Sequence, residues 1–343
     1  MSSRISVPRP GHRVRLLEGS GELFPALVAA VDAAVRDVRL ETYIFDVTGK
    51  SVAVAEALER AARRGVRVRL VIDGFGSESL PPEWRERFAS AGVECLTYAP
   101  LRRFGLLRPG SWRRLHRKLC VVDGEMAFCG GINILDDLYD PNHGTLESPR
   151  FDFAVEVTGP LVAEAEAAMA RLWLRMQALQ DVKQARLAGA LGSLRAYTGV
   201  RHRPAAPASD APRARAMLVL RDNLRTRTSI ERAYRRAIGR AREEIIIANA
   251  YFVPGGRMRR ALVNAARRGV RVSLLLAREA NVVVDDARFA QRLRDRLLHA
   301  MLEEGDRMDR AAFEKRPPLQ RAKERLALIL MRILLVIQGK KYL

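Results

Sequence analysis

The sequence predicts an α/β protein of two related lobes, each a mainly parallel or mixed sheet flanked by helices, with the second lobe truncated. Three observations predict it. The stretch Ala61-Ala-Arg-Arg-Gly-Val-Arg-Val-Arg-Leu70 returns as Ala265-Ala-Arg-Arg-Gly-Val-Arg-Val-Ser-Leu274, nine of ten residues identical. Each copy reads as the end of a helix, a glycine at its C-cap and then a buried strand. Upstream of each lies another strand, Val38–Phe45 and Glu244–Val253, ending near Tyr43 and Tyr251 and running into a Gly- or Pro-containing loop. This is strand–helix–strand twice over, in a chain whose 343 residues and 48% hydrophobic content suffice for two cores.

The first lobe is expected to span residues 1–183. Met1–Ser20 has no apolar run of the kind a secretory signal needs. Beyond the first repeat comes Leu115-His-Arg-Lys-Leu-Cys-Val-Val-Asp-Gly124, with His116, Lys118 and Asp123 in the pattern H-x-K-x-x-x-x-D. Residues two apart on a strand face the same way, so His116 and Lys118 project together. Leu119–Val122 holds the strand in its sheet, and Asp123-Gly124 turns it back into Met126–Cys129. An imidazole attacks phosphorus to form a phospho-histidine, and a neighbouring ammonium offsets charge on the non-bridging oxygens. Asp123 is expected to buttress the Lys or the local backbone, Gly130 and Gly131 to allow close backbone approach, and Asn133 to donate to phosphate oxygens. None of this calls for a metal or another cofactor. Arg150–Gly159 then reads as a strand feeding an Ala-rich helix, Pro160–Gln177.

Residues 184–217 read as a basic, Pro/Ala-rich linker, with Arg-Pro-Ala-Ala-Pro-Ala-Ser-Asp-Ala-Pro at 203–212. The second lobe is expected over 218–302. Its strand Val270–Leu276 runs almost directly into Glu279-Ala-Asn-Val-Val-Val-Asp285 and a helix, Ala287–Leu302. From Gly65 to Asp152 is 87 residues, whereas from Gly269 to Glu279 is 10; the missing 77 are where a second triplet is expected. His299 and Asp306 stand at triplet offsets, but Met301 replaces Lys and the pattern is helical. Residues 303–343 form a basic and apolar tail. Its run Leu326–Ile337, broken by Arg332, is too short at about 18 Å to span a bilayer. It reads either as an interfacial helix on anionic lipid or as a helix docked on the body.

The net charge is +21, and only 7 of the 60 basic residues are Lys. Such a surface suits anionic lipid headgroups, nucleic acid or phosphorylated substrates; the alternative source of the Arg excess is a GC-rich genome, which favours Arg and the likewise abundant Ala. Aromatics are 6%, without the aromatic–basic interleaving that stacks bases, so nucleic acid is the less favoured partner. Cys95, Cys120 and Cys129 are widely spaced among apolar residues, which does not read as a disulfide framework or zinc site and points to a reducing compartment.

The triplet followed by Gly-Gly-x-Asn resembles the signature of the phospholipase D superfamily. Glu41-Thr-Tyr-Ile-Phe45, Phe151-Asp-Phe-Ala-Val155, Arg221-Asp-Asn223, Ala248-Asn-Ala-Tyr-Phe-Val-Pro254 and Glu279-Ala-Asn-Val282 resemble its bacterial cardiolipin synthase branch. The resemblance covers nearly the whole chain. It implies two lobes about a pseudo-twofold axis, one triplet from each meeting in a single site, and transfer of a phosphatidyl group between lipids such as phosphatidylglycerol. It implies that Asp152 orients the imidazole of His116 and that Glu279 serves the partner His. It also implies anionic phospholipid substrates and peripheral attachment to the cytoplasmic side of a bacterial inner membrane. The second triplet is absent, which predicts an impaired synthase. Two alternatives stand beside it: a homodimer in which two copies of His116 meet, as in single-motif phosphodiesterases and nucleases, and a non-catalytic protein that binds anionic lipid or nucleic acid.

Overall fold

The computed structural model describes residues 8–77, 80–100, 114–140, 144–184, 186–199, 214–219, 229–248, 252, 254–275, 282–303 and 317. These divide into two compact units. One comprises residues 1–103, 114–219 and 279–289; the other 104–113, 220–278 and 290–343.

The larger unit opens with β1 (Arg9–Glu18), α1 (Gly19–Asp32), β2 (Asp37–Thr42), α2 (Val52–Arg63), β3 (Arg67–Asp73), α3 (Pro82–Ala91) and β4 (Glu94–Tyr98). There follow β5 (Leu119–Val122), β6 (Met126–Gly130), a small pair β7 (Tyr139–Asp140) and β8 (Gly144–Thr145), then β9 (Phe153–Thr158), α4 (Leu161–Lys183), α5 (Leu187–Gly199) and β10 (Ala214–Leu218). The smaller unit holds α6 (Ser229–Arg240), β11 (Glu244–Ala248), α7 (Gly256–Arg267) and β12 (Arg271–Leu275). The chain closes with β13 (Val282–Asp285), which belongs to the larger unit, and α8 (Ala287–Glu303).

Nine strands of the larger unit form one sheet, ordered β13-β10-β1-β9-β6-β5-β2-β3-β4. β2, β3 and β4 run parallel, as βαβ crossovers require; β5 runs antiparallel to β2, and the tight Asp123-Gly124 turn then makes β6 antiparallel to β5. Val68, Leu70 and Ile72 face a core with Leu27, Leu58, Trp84 and Phe88 from α1, α2 and α3. Val71, one residue out of phase, faces the other way and packs with Leu115, Leu172 and Trp173. Both faces of β3 are therefore covered, which accounts for its unbroken apolar run.

The repeat extends to hydrogen bonds. Gly65 and Gly269 both take φ +87°, the left-handed value a helix-ending glycine allows. In the first copy the Gly65 amide donates to Ala62 O (2.9 Å) and the Val66 amide to Ala61 O (3.1 Å). In the second, Gly269 donates to Ala266 O (2.9 Å) and Val270 to Ala265 O (3.2 Å). The Arg64 guanidinium reaches Val31 O and Ala34 O, and that of Arg268 reaches Ile238 O and Ala241 O. β2–β3 and β11–β12 are matching parallel pairs, with Asp37 opposite Arg67 and Glu244 opposite Arg271.

β10, expected in the linker, and β13, expected in the second lobe, both join the sheet of the larger unit. They pair antiparallel with each other, as β1 and β9 do, and β10 adds to β1 in the large sheet. The order β1-β9-β6-β5-β2-β3-β4 explains this. The 77-residue shortfall removes the counterparts of α3, β4, β5 and β6. Without β5 and β6 nothing bridges a β9-like strand to a β2-like one. A second lobe so shortened must fall into two separate pairs, β10–β13 and β11–β12, as observed.

No helix among the described residues is long and apolar enough to cross a membrane. The run Leu326–Ile337 lies outside the described residues. Cys120 and Cys129 are buried free thiols, and Cys95 is free and exposed.

Candidate active site

The site lies at the carboxyl ends of the parallel strands β2 and β3, the usual crevice of an α/β sheet. His116 and Lys118 stand just before β5 rather than within it; β5 begins at Leu119 and is opposite Glu41, near the end of β2. Two anchors fix this lead-in. The Leu115 side chain is buried with Val71, Leu172 and Trp173, and its amide donates to Asp73 Oδ2 at 2.7 Å. Asp73 is fully buried, and its other oxygen accepts from the amides of Phe75 (2.8 Å) and Gly76 (3.1 Å). One carboxylate thus ties the end of β3 to the residue preceding the histidine.

His116 is exposed, and its ring lies 5.0 Å from that of Tyr43. The Lys118 ammonium is 3.4 Å from each of the two ring nitrogens of His116 and 5.5 Å from the centre of the Tyr43 ring. The ammonium and the imidazole thus stand side by side, close enough for one anion to contact both. Tyr43 is backed by Gly76, where a Cβ would come within 2.6 Å of the ring and of the Tyr43 carbonyl. Burial, and after it the charge of Asp73, push the Tyr43 phenol above its ordinary range. Tyr43 therefore acts as a neutral wall. Arg117 points the other way, its Nε 3.4 Å from Glu41, a carboxylate buried under α4. Burial pushes the Glu41 carboxyl up, and Arg117 and Arg39 act against that.

Asp123 is not brought to the His116 side. Five residue steps at about 3.3 Å each separate it from Lys118 along β5, roughly 16 Å. It takes φ +52° at the β5–β6 turn, and its carboxylate accepts from the amides of Val35 (2.9 Å), Arg36 (2.8 Å) and Asp37 (2.8 Å). Burial raises its pKa, but these three amides and the Arg36 charge outweigh that and hold it below the usual range. Its geometry is that of a clamp between the β5–β6 turn and the start of β2.

Gly130 and Gly131 lie close to Lys118 in the ladder: the Gly130 amide donates to Lys118 O (3.2 Å) and that of Gly131 to Phe153 O (2.9 Å). A Cβ at Gly130 would collide with the Phe153 carbonyl and Ala154, so its close approach is to β9 rather than to a substrate. Asn133 is buried; its Oδ1 accepts from the Ile44 amide (3.0 Å), leaving the amide NH2 as donor. Asp152 is buried at the same end of the sheet, its Oδ1 accepting from Phe153 N at 2.8 Å. Glu279 lies outside the described residues. His299 sits on α8, 3.1 Å from Glu303, one turn on.

Asp73 and Leu115 were missed by reading the sequence, since 42 residues separate these two groups that touch in space. The available signal was an acid ending the apolar strand Arg67–Asp73 directly before Gly74.

Comparison with known proteins places the chain in a family. Residues 27–173 and 234–313 match a family described as cardiolipin synthase, PLD-like domain. Cardiolipin synthase B of Escherichia coli K12 is 36% identical over 281 residues, covering 80% of this chain. Cardiolipin synthase 1 of Bacillus anthracis is 25% identical over 276 residues, covering 79% of this chain. The chain spans 62% and 51% of the lengths of these two relatives. Phosphatidylserine synthase of Haemophilus influenzae shares the fold, with a TM-score of 0.50 at 13% identity over 76% of this chain and 60% of that one. The chain belongs to the cardiolipin synthase family built on the phospholipase D-like domain.

Proposed function

We propose that the chain carries one half-site of a cardiolipin synthase-like phosphatidyltransferase, with His116 as its phosphoryl-accepting imidazole. The carrying observation is the pairing of an exposed imidazole with an ammonium 3.4 Å from both its nitrogens, at the carboxyl ends of a parallel sheet. The imidazole attacks the phosphorus of an anionic phospholipid such as phosphatidylglycerol, forming an N–P bond as the alcohol oxygen leaves with its electron pair. Lys118 offsets charge on the non-bridging oxygens. Asp73 and Leu115 hold the segment in place. Asp152 orients the imidazole, Asn133 donates to phosphate, and Glu279 belongs to the other half-site. The resemblance implies a second imidazole that protonates the leaving alkoxide and then activates the acceptor. The sequence holds no second triplet, so natural lipids are expected to react slowly. The Arg-rich surface, at net charge +21, supports peripheral association with anionic lipid on the cytoplasmic side of a bacterial inner membrane.

A substrate whose leaving group needs no proton isolates the first half-reaction. With bis(p-nitrophenyl) phosphate the chain is expected to release p-nitrophenolate in a burst of at most one equivalent, then stall. His116→Ala is expected to abolish the burst. Equal release by wild type and His116→Ala refutes the assignment. The exposure of His116 also favours a second reading, in which a partner copy supplies the other imidazole. Sustained turnover that rises with the square of chain concentration distinguishes it.

A further inference from the structure

In the larger unit β2 has β3 on one side and β5 on the other; in the smaller unit β11, its counterpart, has only β12 among the described residues. Burial records the difference. Leu40 of β2 is buried, whereas Ile247, at the equivalent position of β11, is only half-buried. At the start of β2 the amides of Val35, Arg36 and Asp37 converge on Asp123. The repeat maps these onto Arg242, Glu243 and Glu244, because Arg67 N donates to Arg36 O (3.1 Å) as Arg271 N does to Glu243 O (2.9 Å). A cavity of about 470 Å³ lies there, lined by Arg242, Glu243, Glu244, Arg271, Gln291 and Arg294. Its walls match those around the Asp123-Gly124 turn: the amide-bearing loop, the strand-opening arginine and the following helix, which in the larger unit is α4, with Glu166 beside Gly124. The neighbouring acid is handled alike in both. Asp37 is paired with Arg39 and Arg67. Glu244 is paired with Arg294 (2.6 Å) and Arg271 (3.6 Å).

We propose that the side of β11 that no described residue covers, with this cavity at its start, is an acceptor for a β-strand from a separate polypeptide. That strand ends in an Asp-Gly turn like that of β5–β6. It pairs antiparallel with Ile245–Ala248, as β5 pairs with β2, and its aspartate seats on the amides of residues 242–244. A second copy is a poor donor, because its own β5–β6 hairpin is held between β2 and β9 and is released only by unfolding. The proposed occupant is a separate chain carrying a hairpin of that kind. The inference rests on the repeat and not on the chemistry proposed for His116.

The probe is a labelled synthetic peptide copying Leu115–Gly131, titrated under reducing conditions against the full chain by fluorescence anisotropy. Saturable one-to-one binding is expected. A peptide with Ala in place of its Asp is expected to bind about tenfold more weakly, since three amide bonds to a carboxylate are lost. Arg242→Glu, at an exposed loop position, is expected to weaken binding by about threefold or more without lowering the melting temperature. No saturable binding up to about 1 mM, the weak limit of a specific contact, overturns the proposal. So does equal binding by the Asp-less peptide, or a dimer of the chain that the peptide dissociates, which would place a second copy on the same edge.

Discussion

Asp123→Ala separates a structural clamp from a catalytic group. The wild-type carboxylate accepts three backbone hydrogen bonds at 2.8–2.9 Å from Val35, Arg36 and Asp37. Hydrogen bonds to a charged group are worth about 1.5–3 kcal/mol each in buried settings, but the Val35 and Arg36 amides are exposed and regain water when the acceptor is lost. The expected loss is therefore about 2–4 kcal/mol, a large share of the roughly 5–15 kcal/mol that holds a domain folded. Asn at this position retains one acceptor oxygen and tolerates the positive φ, so Asp123→Asn is expected to lose only about 1 kcal/mol. Urea unfolding followed by circular dichroism measures both. Because the Asp123 carboxyl is held below its usual range, its contribution is complete above the unfolded carboxylate value and disappears as pH falls through about 4 and below. Wild type is expected to show that acid-side loss more steeply than Asp123→Asn. The p-nitrophenolate burst per folded molecule is expected to survive in both variants. An Asp123→Ala chain with wild-type stability and no burst would refute the clamp and return Asp123 to the chemistry.

Asp73→Asn replaces an acceptor-only carboxylate with an amide that cannot satisfy the Leu115, Phe75 and Gly76 amides together. It is expected to cost about 2–3 kcal/mol and to lower the His116-dependent burst about 100-fold by misplacing the imidazole; an unchanged burst rate rules out the positioning role. His12 is buried, and its Nε2 accepts from the Leu161 amide at the start of α4 (3.0 Å). Burial pushes this imidazole below its ordinary value. Its stabilisation is therefore present above about pH 6.5, where unfolded histidine is neutral, and is lost as pH falls below that value. The melting temperature is expected to drop on acidification through this range, and the drop to shrink in His12→Gln; identical pH profiles would count against it.

The repeat was legible because a helix, a left-handed glycine and a buried strand each leave a mark on neighbouring residues. The count between repeats located the missing strands as well. What the sequence could not convey is that losing β5 and β6 divides a lobe, since strand order is a property of pairing between distant segments. Asp123 was legible as a turn residue able to buttress the backbone, but the three amides it holds lie 86–88 residues away and left no trace. The spacing H-x-K-x-x-x-x-D looks like one cluster in sequence, yet four strand residues carry the acid to the far end of β5. The need for Gly130 was legible but not its cause, which is the approach of β9. Asp73 left almost no trace, because a lone acid at a strand end reads as a solvated terminus until the contact with Leu115 is seen.

Turnover of phosphatidylglycerol by the purified monomer, followed as cardiolipin and glycerol in mixed vesicles, is the most direct measurement. The proposed half-site lacks an acid–base partner. Its His116-dependent rate is therefore expected to lie more than about 100-fold below ordinary enzyme turnover. Sustained cardiolipin synthesis by the monomer at about 1 s⁻¹ or faster, lost in His116→Ala, contradicts that conclusion.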